Sequence, residues 1–287
     1  MRIALLGANG QLGRDLRAAL ASHELWPLAR ADCDITDHAR VRDVISALRP
    51  EVVLNAAAYH RVDDCEAFHE LAYSVNVLAV LNLVRIANAL GALLVHFSTD
   101  YVFDGKSVEP YTEASAPMPL SVYGNSKLAG EFLVRSMAER YILIRTCGLY
   151  GHAGSRGKGG NFVESMLAKG RAAVPVQVVM DQIVTPTYTA DLAQQVAVLL
   201  DLGHSGLFHI TNEGSCSWFE FARVIFELAG IEVDLKPITT ELYKAPAVRP
   251  KYSVLENARL KELGLNRMRS WREALTAYIA EKQSLAR

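Results

Sequence analysis

The sequence predicts an α/β fold: a doubly wound parallel sheet with helices on both faces, followed by a smaller carboxyl-terminal α/β lobe. Three observations predict it. An apolar strand opens the chain and runs straight into a glycine-rich turn and a helix. Strand and helix patterns then alternate as far as Thr146. The residues at the ends of those strands, Gly7, Asn55, Thr99 and Thr146, fall where such sheets hold ligands, beyond the carboxyl ends. The expected division is residues 1–150 for the dinucleotide-binding sheet domain, with later segments returning to it, and 151–287 for a lobe that mainly binds substrate.

Arg2–Leu6 reads as the first strand, and Gly7, Gly10 and Gly13 follow in G-A-N-G-Q-L-G. Leu12, Leu16 and Leu20 stand four apart, a helical spacing. A strand, a tight glycine turn and a helix amino terminus form a phosphate cradle, because exposed N–H groups and the positive helix end face an anion. The spacing is G-x-x-G-x-x-G instead of the commoner G-x-G-x-x-G, and its place at the start of an α/β pattern points to a dinucleotide. Glu24–Leu28 is the second strand. The acid that usually recognises the adenine ribose near its end is replaced by Ala29 and Arg30. A guanidinium without a neighbouring repelling carboxylate favours NADPH, with NADH as the alternative. Asp34 and Ile35 follow, where the chain can pass along the adenine edge.

Val41–Leu48 is a helix, and Glu51–Leu54 a third strand ending in N-A-A-A-Y. The small Ala56, Ala57 and Ala58 either let backbone approach the cofactor or simply pack. One long helix is expected from about Asp63 to Leu90, stopped by Gly91. Leu93–Phe97 is a buried strand leading to Thr99, and Tyr141–Ile144 a fifth strand ending in R-T-C-G. Beyond it, Gly151–Gly160 is a glycine-rich loop carrying Arg156 and Lys158. It is either a surface loop or a lid over a substrate diphosphate. Its G-K-G lacks the Ser/Thr of a nucleotide-triphosphatase loop. A helix begins near Asn161. Asp181 and Gln182 follow a strand, Asp191–Leu200 and Trp218–Ala229 are helices, Leu207–Ile210 is a strand, and Trp271–Ala280 is the last helix.

Composition narrows the partners. Of 287 residues 51% are hydrophobic, enough for a sizeable core. Lys and Arg number 30 against 31 Asp and Glu, which argues against nucleic acid and acidic membranes. Cys33, Cys65, Cys147 and Cys216 are scattered without C-x-x-C, as in reduced cytoplasmic proteins. Met1–Gly7 leads into glycines with no cleavage site, and no apolar stretch is expected to approach the roughly 20 residues that span a bilayer. The expectation is a soluble cytoplasmic protein, monomeric or homodimeric. No histidine pair has metal-ligand spacing, so no metal is expected.

The chemistry centres on S-T-D-Y-V-F-D-G and Y-G-N-S-K, from Ser98 to Lys127. Tyr123 and Lys127 stand four apart at a helix start and share one face. A tyrosine donates protons usefully when its pKa of about 10 is brought down, and a fixed ammonium does that. Thr99, at a neighbouring strand end, could hold the phenol. By itself Tyr-x-x-x-Lys is a weak signal, matched by any surface tyrosine beside a lysine. Its convergence with the glycine turn at one sheet edge is what singles it out.

Together with N-A-A-A-Y followed by V-D-D-C-E, G-N-F-V, D-Q-I-V-T-P-T and R-P-K-Y-S, these motifs resemble the extended short-chain dehydrogenase/reductase superfamily and, within it, the dTDP-4-dehydrorhamnose reductases. They stand in family order over nearly the whole chain. The resemblance implies a Rossmann-type fold and reduction of the C4 ketone of a dTDP-linked 4-keto-6-deoxy-L-hexose to dTDP-L-rhamnose. It implies Tyr123 as proton donor, Lys127 on the nicotinamide ribose and Thr99 as positioning group. Implied cofactor contacts are Gly10, Gln11, Leu12, Asp34, Ile35, Ala58, Tyr59, Tyr123 and Lys127. Implied substrate contacts are Thr99, Asp100, Val62, Tyr101, Asn161 and Arg249. Two positions depart from the family. Gly148 stands where the best-known reductases have a tryptophan against the sugar, and His60 where threonine is usual. A pocket without that aromatic wall could accept a differently shaped sugar, and His60 is either a polar substrate contact or ordinary packing.

Rival activities share part of this set. Sugar-nucleotide 4,6-dehydratases have Asp-Glu after the threonine, but Asp100 is followed here by Tyr101, which removes the base for elimination. A 4-epimerase would use Thr99, Tyr123 and Lys127 equally and differs in recycling its cofactor. The regulatory β subunit of methionine adenosyltransferase resembles the same family and acts by binding; an intact Thr99, Tyr123 and Lys127 favours catalysis.

Overall fold

The computed structural model describes residues 1–153 and 160–285. Arg156 and Lys158 of the expected lid lie outside these residues. The chain opens with β1 (Arg2–Leu6), α1 (Gln11–Ala19), β2 (Glu24–Leu28), α2 (His38–Leu48) and β3 (Val52–Asn55). Asp37 caps α2 by accepting the Arg40 N–H at 3.0 Å. β2 pairs only with β1, and that edge position tolerates Pro27, which has no N–H to donate.

The expected single helix from Asp63 to Leu90 is instead α3 (Val62–Ala67), α4 (His69–Tyr73), a π-helical turn at Ser74–Leu78 and α5 (Ala79–Leu90). The break falls at Phe68, whose backbone leaves the helical region at φ −115°, ψ 51°. The wide turn carries buried Asn76, whose amide donates to Tyr59 O at 2.9 Å and Ser126 Oγ at 3.0 Å while its oxygen accepts Tyr59 N at 3.0 Å. A π-turn of this kind aims one residue out of helical register, and here it ties the loop after β3 to the helix bearing Tyr123. His69–Leu90 is also a 22-residue stretch holding an 18-residue window of mean hydropathy 1.4, which corrects the expectation that no apolar stretch nears bilayer length. Its apolarity has a local cause: Ala79, Val80, Leu83, Val84, Ile86 and Ala87 are buried on the sheet.

β4 (Leu93–Thr99), α6 (Val122–Met137) and β5 (Tyr141–Thr146) complete the alternation. Ser121 caps α6 through the Gly124 N–H at 3.2 Å. There follow β6 (Leu149–Tyr150), α7 (Phe162–Arg171), β7 (Val176–Val179), β8 (Ile183–Val184), β9 (Thr187–Tyr188), α8 (Thr189–Asp201) and β10 (Gly206–His209). Last come β11 (Cys216–Ser217), α9 (Trp218–Ala229), β12 (Leu235–Ile238), α10 (Thr240–Tyr243), α11 (Ala258–Glu262) and α12 (Trp271–Leu285).

The main sheet has six strands in the order β10-β5-β4-β3-β1-β2, all parallel. Parallel strands buried on both faces read as continuous apolar runs, and β4 is buried along its whole length. One face packs Leu12 and Leu16 of α1 with Leu192 and Val196 of α8; the other packs Val41 and Ile45 of α2 with Leu83 and Val84 of α5. A separate cluster, including Tyr150, Val163, Phe221, Ile225 and Tyr278, forms the core of the later segments. β10 and α8 therefore return from the second half of the chain to complete the first sheet.

Candidate active site

The glycine turn shows why its residues are glycines. Gly7 has φ +77°, and a Cβ there would sit 2.8 Å from Ala57 N. A Cβ on Gly13 would sit 2.3 Å from Gly7 O. Ala56 and Ala57 thus pass directly against Gly7, and Ala56 N donates to Leu6 O at 3.0 Å. Gly10 is the N-cap of α1 without a side-chain cap, and the first turn carries no acid. The helix end is left with backbone N–H groups for a pyrophosphate, so the cradle fits a dinucleotide. Leu12 and Ile35 turn their side chains into the core. Arg30 is exposed and bonded to Asp34 at 2.9 Å; Asp34 also accepts Thr36 N and Oγ1. Partial burial pushes the Asp34 carboxyl up, but the Thr36 and Arg30 bonds outweigh it and hold its pKa below the usual value.

β4 and α6 bring Thr99, Tyr123 and Lys127 to the carboxyl edge of the sheet. Thr99 pairs in register with Thr146 of β5. Tyr123 is buried in a cluster with Cys65 and Ala72, against Tyr59, Val62 and Tyr101. The Tyr101 ring meets it edge-on, with centroids 5.6 Å apart. Burial pushes the Tyr123 phenol above its usual range; the Thr99 hydroxyl bonded to it opposes this, and Asp100 adds to it. The net shift is therefore upward, where a downward one is expected from the Tyr123–Lys127 spacing alone. The Lys127 Nζ is buried and donates to Phe97 O at 2.6 Å, with His96 Nε2 at 3.4 Å. Burial lowers the lysine to about 8, with Glu131 opposing.

The remaining substrate candidates separate into two groups. Asp100 lies behind Thr99, buried, accepting Thr99 Oγ1 at 2.9 Å and Cys147 Sγ at 3.1 Å. Burial raises its pKa against hydrogen bonds from Ser253, Cys147 and Thr99. Arg249 bonds Asp63 at 2.8 Å beside Tyr101. Asn161 caps α7 and donates to Gln11 Oε1 at 2.8 Å and Gly151 O at 2.9 Å, so it joins the glycine turn. His60 directs Nδ1 to Ala58 O at 3.3 Å. Ser98 Oγ and Thr146 Oγ1 are buried at the strand ends with no partner among the described residues.

Four residues escaped the sequence reading as site residues: Asn55 beyond its strand-end place, Asn76, His96 and Trp218. Gly148, with φ +56°, is where an aromatic wall was expected to be lacking. A Cβ there would lie 3.3 Å from the Trp218 indole edge and 3.2 Å from Pro186 Cα. The fold therefore supplies an indole from α9 beside that gap, packed on Phe162 at 4.7 Å between centroids. A groove of about 850 Å³ opens at the opposite edge of the sheet among Arg2, Glu51, Arg140 and Arg259, away from this site.

A parallel six-stranded sheet with a glycine turn under α1, and a Tyr-x-x-x-Lys pair facing a strand-end threonine, defines an NAD(P)-binding short-chain dehydrogenase/reductase. Comparison with known proteins is narrower. The family described as RmlD substrate binding domain matches residues 1–284. A crystal structure of a dTDP-4-dehydrorhamnose reductase from Clostridium acetobutylicum superposes with a TM-score of 0.94 at 43% identity, covering 99% of this chain and 100% of that one. The Bacillus anthracis enzyme of the same name, solved in complex with NADP, gives 0.93 at 39% identity over 98% and 99% of the two chains. The Bacillus subtilis spore coat polysaccharide biosynthesis protein SpsK is 40% identical over 285 residues, 99% of this chain and 98% of its own. The chain belongs to the dTDP-4-dehydrorhamnose reductase family, NAD(P)-dependent reductases of nucleotide-linked 4-keto sugars.

Proposed function

We propose that the chain reduces the C4 ketone of dTDP-4-dehydro-L-rhamnose to dTDP-L-rhamnose with NADPH. The observation that carries this reading is the buried Tyr123 phenol, set with Thr99 and Lys127 at the same carboxyl edge of the sheet as the glycine turn. Bound NADPH would supply hydride to C4. The protein's part is placement and a proton. The Tyr123 phenol is protonated at neutral pH, as a donor to a developing alkoxide must be, although burial raises its pKa and so weakens it as an acid. Gly7, Gly10 and the backbone at Gln11 and Leu12 would hold the pyrophosphate. Ala56, Ala57, Ala58 and Tyr59 would line the passage from β3, and Asp34 and Ile35 the adenine side. Val62 and Tyr101 would wall the sugar beside Tyr123. Arg249 would offer charge to the substrate, and Asp100 would act by holding Thr99. The test is to incubate the protein with NADPH and dTDP-4-dehydro-L-rhamnose and follow nicotinamide absorbance. Net consumption separates reduction from epimerisation, and no consumption refutes the reading.

Arg30 would take the 2′-phosphate. Its pair with Asp34 is exposed and costs little to exchange. Arg30→Ala should reduce the preference for NADPH over NADH by roughly tenfold, measured as a ratio of kcat/KM values. An unchanged ratio removes Arg30 from the site.

A second reading, reduction of another nucleotide-linked 4-keto sugar, is favoured by Gly148. Trp218 would be the apolar wall against the sugar, approached from α9 instead of from position 148. Trp218→Ala should raise KM for the sugar nucleotide by about tenfold, the loss of one aromatic contact, and leave KM for the dinucleotide unchanged. An equal effect on both would make Trp218 structural.

A further inference from the structure

Behind Tyr123 runs a buried polar chain that the reading above does not use. Asn55, the last residue of β3, pairs in register with His96 of β4, and both are buried. Asn55 Oδ1 accepts the Ala57 N–H at 3.1 Å. A backbone N–H can only donate, so this contact fixes the carboxamide and leaves Nδ2 facing His96 Nδ1 at 3.1 Å. Nδ2 also only donates. Nδ1 is therefore the acceptor, and the neutral ring carries its hydrogen on Nε2. Burial first, and Lys127 second, push the His96 pKa well below its usual value and keep the ring neutral. Nε2 faces Lys127 Nζ at 3.4 Å. An ammonium has no lone pair to receive that N–H; an amine has one.

We propose that His96 is a positioning residue acting through Lys127: locked by Asn55 in the Nε2–H tautomer, it favours the uncharged amine, so that Lys127 exchanges its proton within the working pH range. The inference deepens the proposed reductase reading, in which Tyr123 and Lys127 work as a pair. Among the described residues few other groups bear on Lys127. Glu131, one turn along α6, favours the ammonium, but its carboxylate is bound to Arg145 of β5 at 2.7 Å. Asp100, Cys65 and Cys147 act on Tyr123. The acids of α3 face elsewhere, Asp63 to Arg249, Asp64 to Arg61 and Glu66 to the Val122 amide. His69, Glu70, Tyr73 and Arg85, on α4 and α5, are exposed. If turnover needs the ammonium, activity falls as pH rises through the Lys127 value of about 8.

Two measurements test this on the full chain. Ring-nitrogen NMR, with the His96 signal assigned by its absence in His96→Leu, should show the Nε2–H tautomer between about pH 6 and pH 9. The Nδ1–H tautomer would let Nε2 accept from an ammonium and overturns the proposal. In His96→Leu, the alkaline limb of kcat/KM should move up by roughly one pH unit, as expected when one hydrogen bond favouring the amine is lost. A limb that stays in place also overturns it. Asn55→Asp provides a second variant should the leucine protein fail to fold. A carboxylate only accepts, so it should switch His96 to the Nδ1–H form and move the limb the same way; a persistent Nε2–H tautomer counts against the proposal. The tautomer is read without substrate, so a failed sugar reduction and a failed role for His96 give different results.

Discussion

Tyr123→Phe should bind the dinucleotide as the parent protein does and lose about 10²- to 10⁴-fold in kcat, the contribution of a positioned general acid. The substitution removes one oxygen. The ring stays in its cluster with Cys65 and Ala72, so the fold and its contact with Tyr101 have no reason to change. Thr99 keeps its bonds to Asp100 at 2.9 Å and from the Tyr101 amide at 3.2 Å. Turnover and dinucleotide titration, run on the same preparation, give the two readouts. Retained turnover would place the proton donor elsewhere; lost dinucleotide binding would make the phenol a cofactor contact first.

The second large effect is on stability. Arg145 and Glu131 form a bidentate pair between β5 and α6, with Nη2 to Oε2 at 2.7 Å and Nε to Oε1 at 2.9 Å. Both side chains are 1% exposed or less. The guanidinium also lies 5.1 Å from the centroid of Phe103. Arg145→Met leaves the Glu131 carboxylate buried without its cation and should destabilise the fold by about 3–5 kcal/mol. Denaturant unfolding measures this as a lower midpoint at unchanged slope. Replacing both partners, with Glu131→Leu added, should restore much of the loss, because an apolar pair leaves no charge behind. A double variant no more stable than the single one would show that the pair itself, not the orphaned charge, holds α6.

The sequence made the frame legible where local rules decide it. Gly7, Gly10 and Gly13 announce a tight turn, and the structure gives the clash that Gly7 and Gly13 avoid. Tyr123 and Lys127 are one helical turn apart, a spacing that needs no tertiary knowledge. The single helix expected over 63–90 failed because nothing local marks the break at Phe68 or the π-turn after it. That turn answers to Asn76, whose partners Tyr59 and Ser126 are distant in sequence. Asn55 and His96 meet only through strand register, and Trp218 reaches Gly148 from another part of the chain. The Tyr123 pKa was misread for the same reason. Spacing puts a lysine on the right face, but only the fold turns its nitrogen toward Phe97 O and buries the phenol.

The place of β10 at one end of the main sheet bears on how the protein is made. β5 leaves the ribosome with its outer edge unpaired, and the strand that will cover it is translated only after the segments of α7 and α8. Until then the nascent chain presents a bare row of N–H and C=O groups flanked by apolar residues, which is a template for pairing with the wrong molecule. That exposure ends only when Gly206–His209 docks along β5.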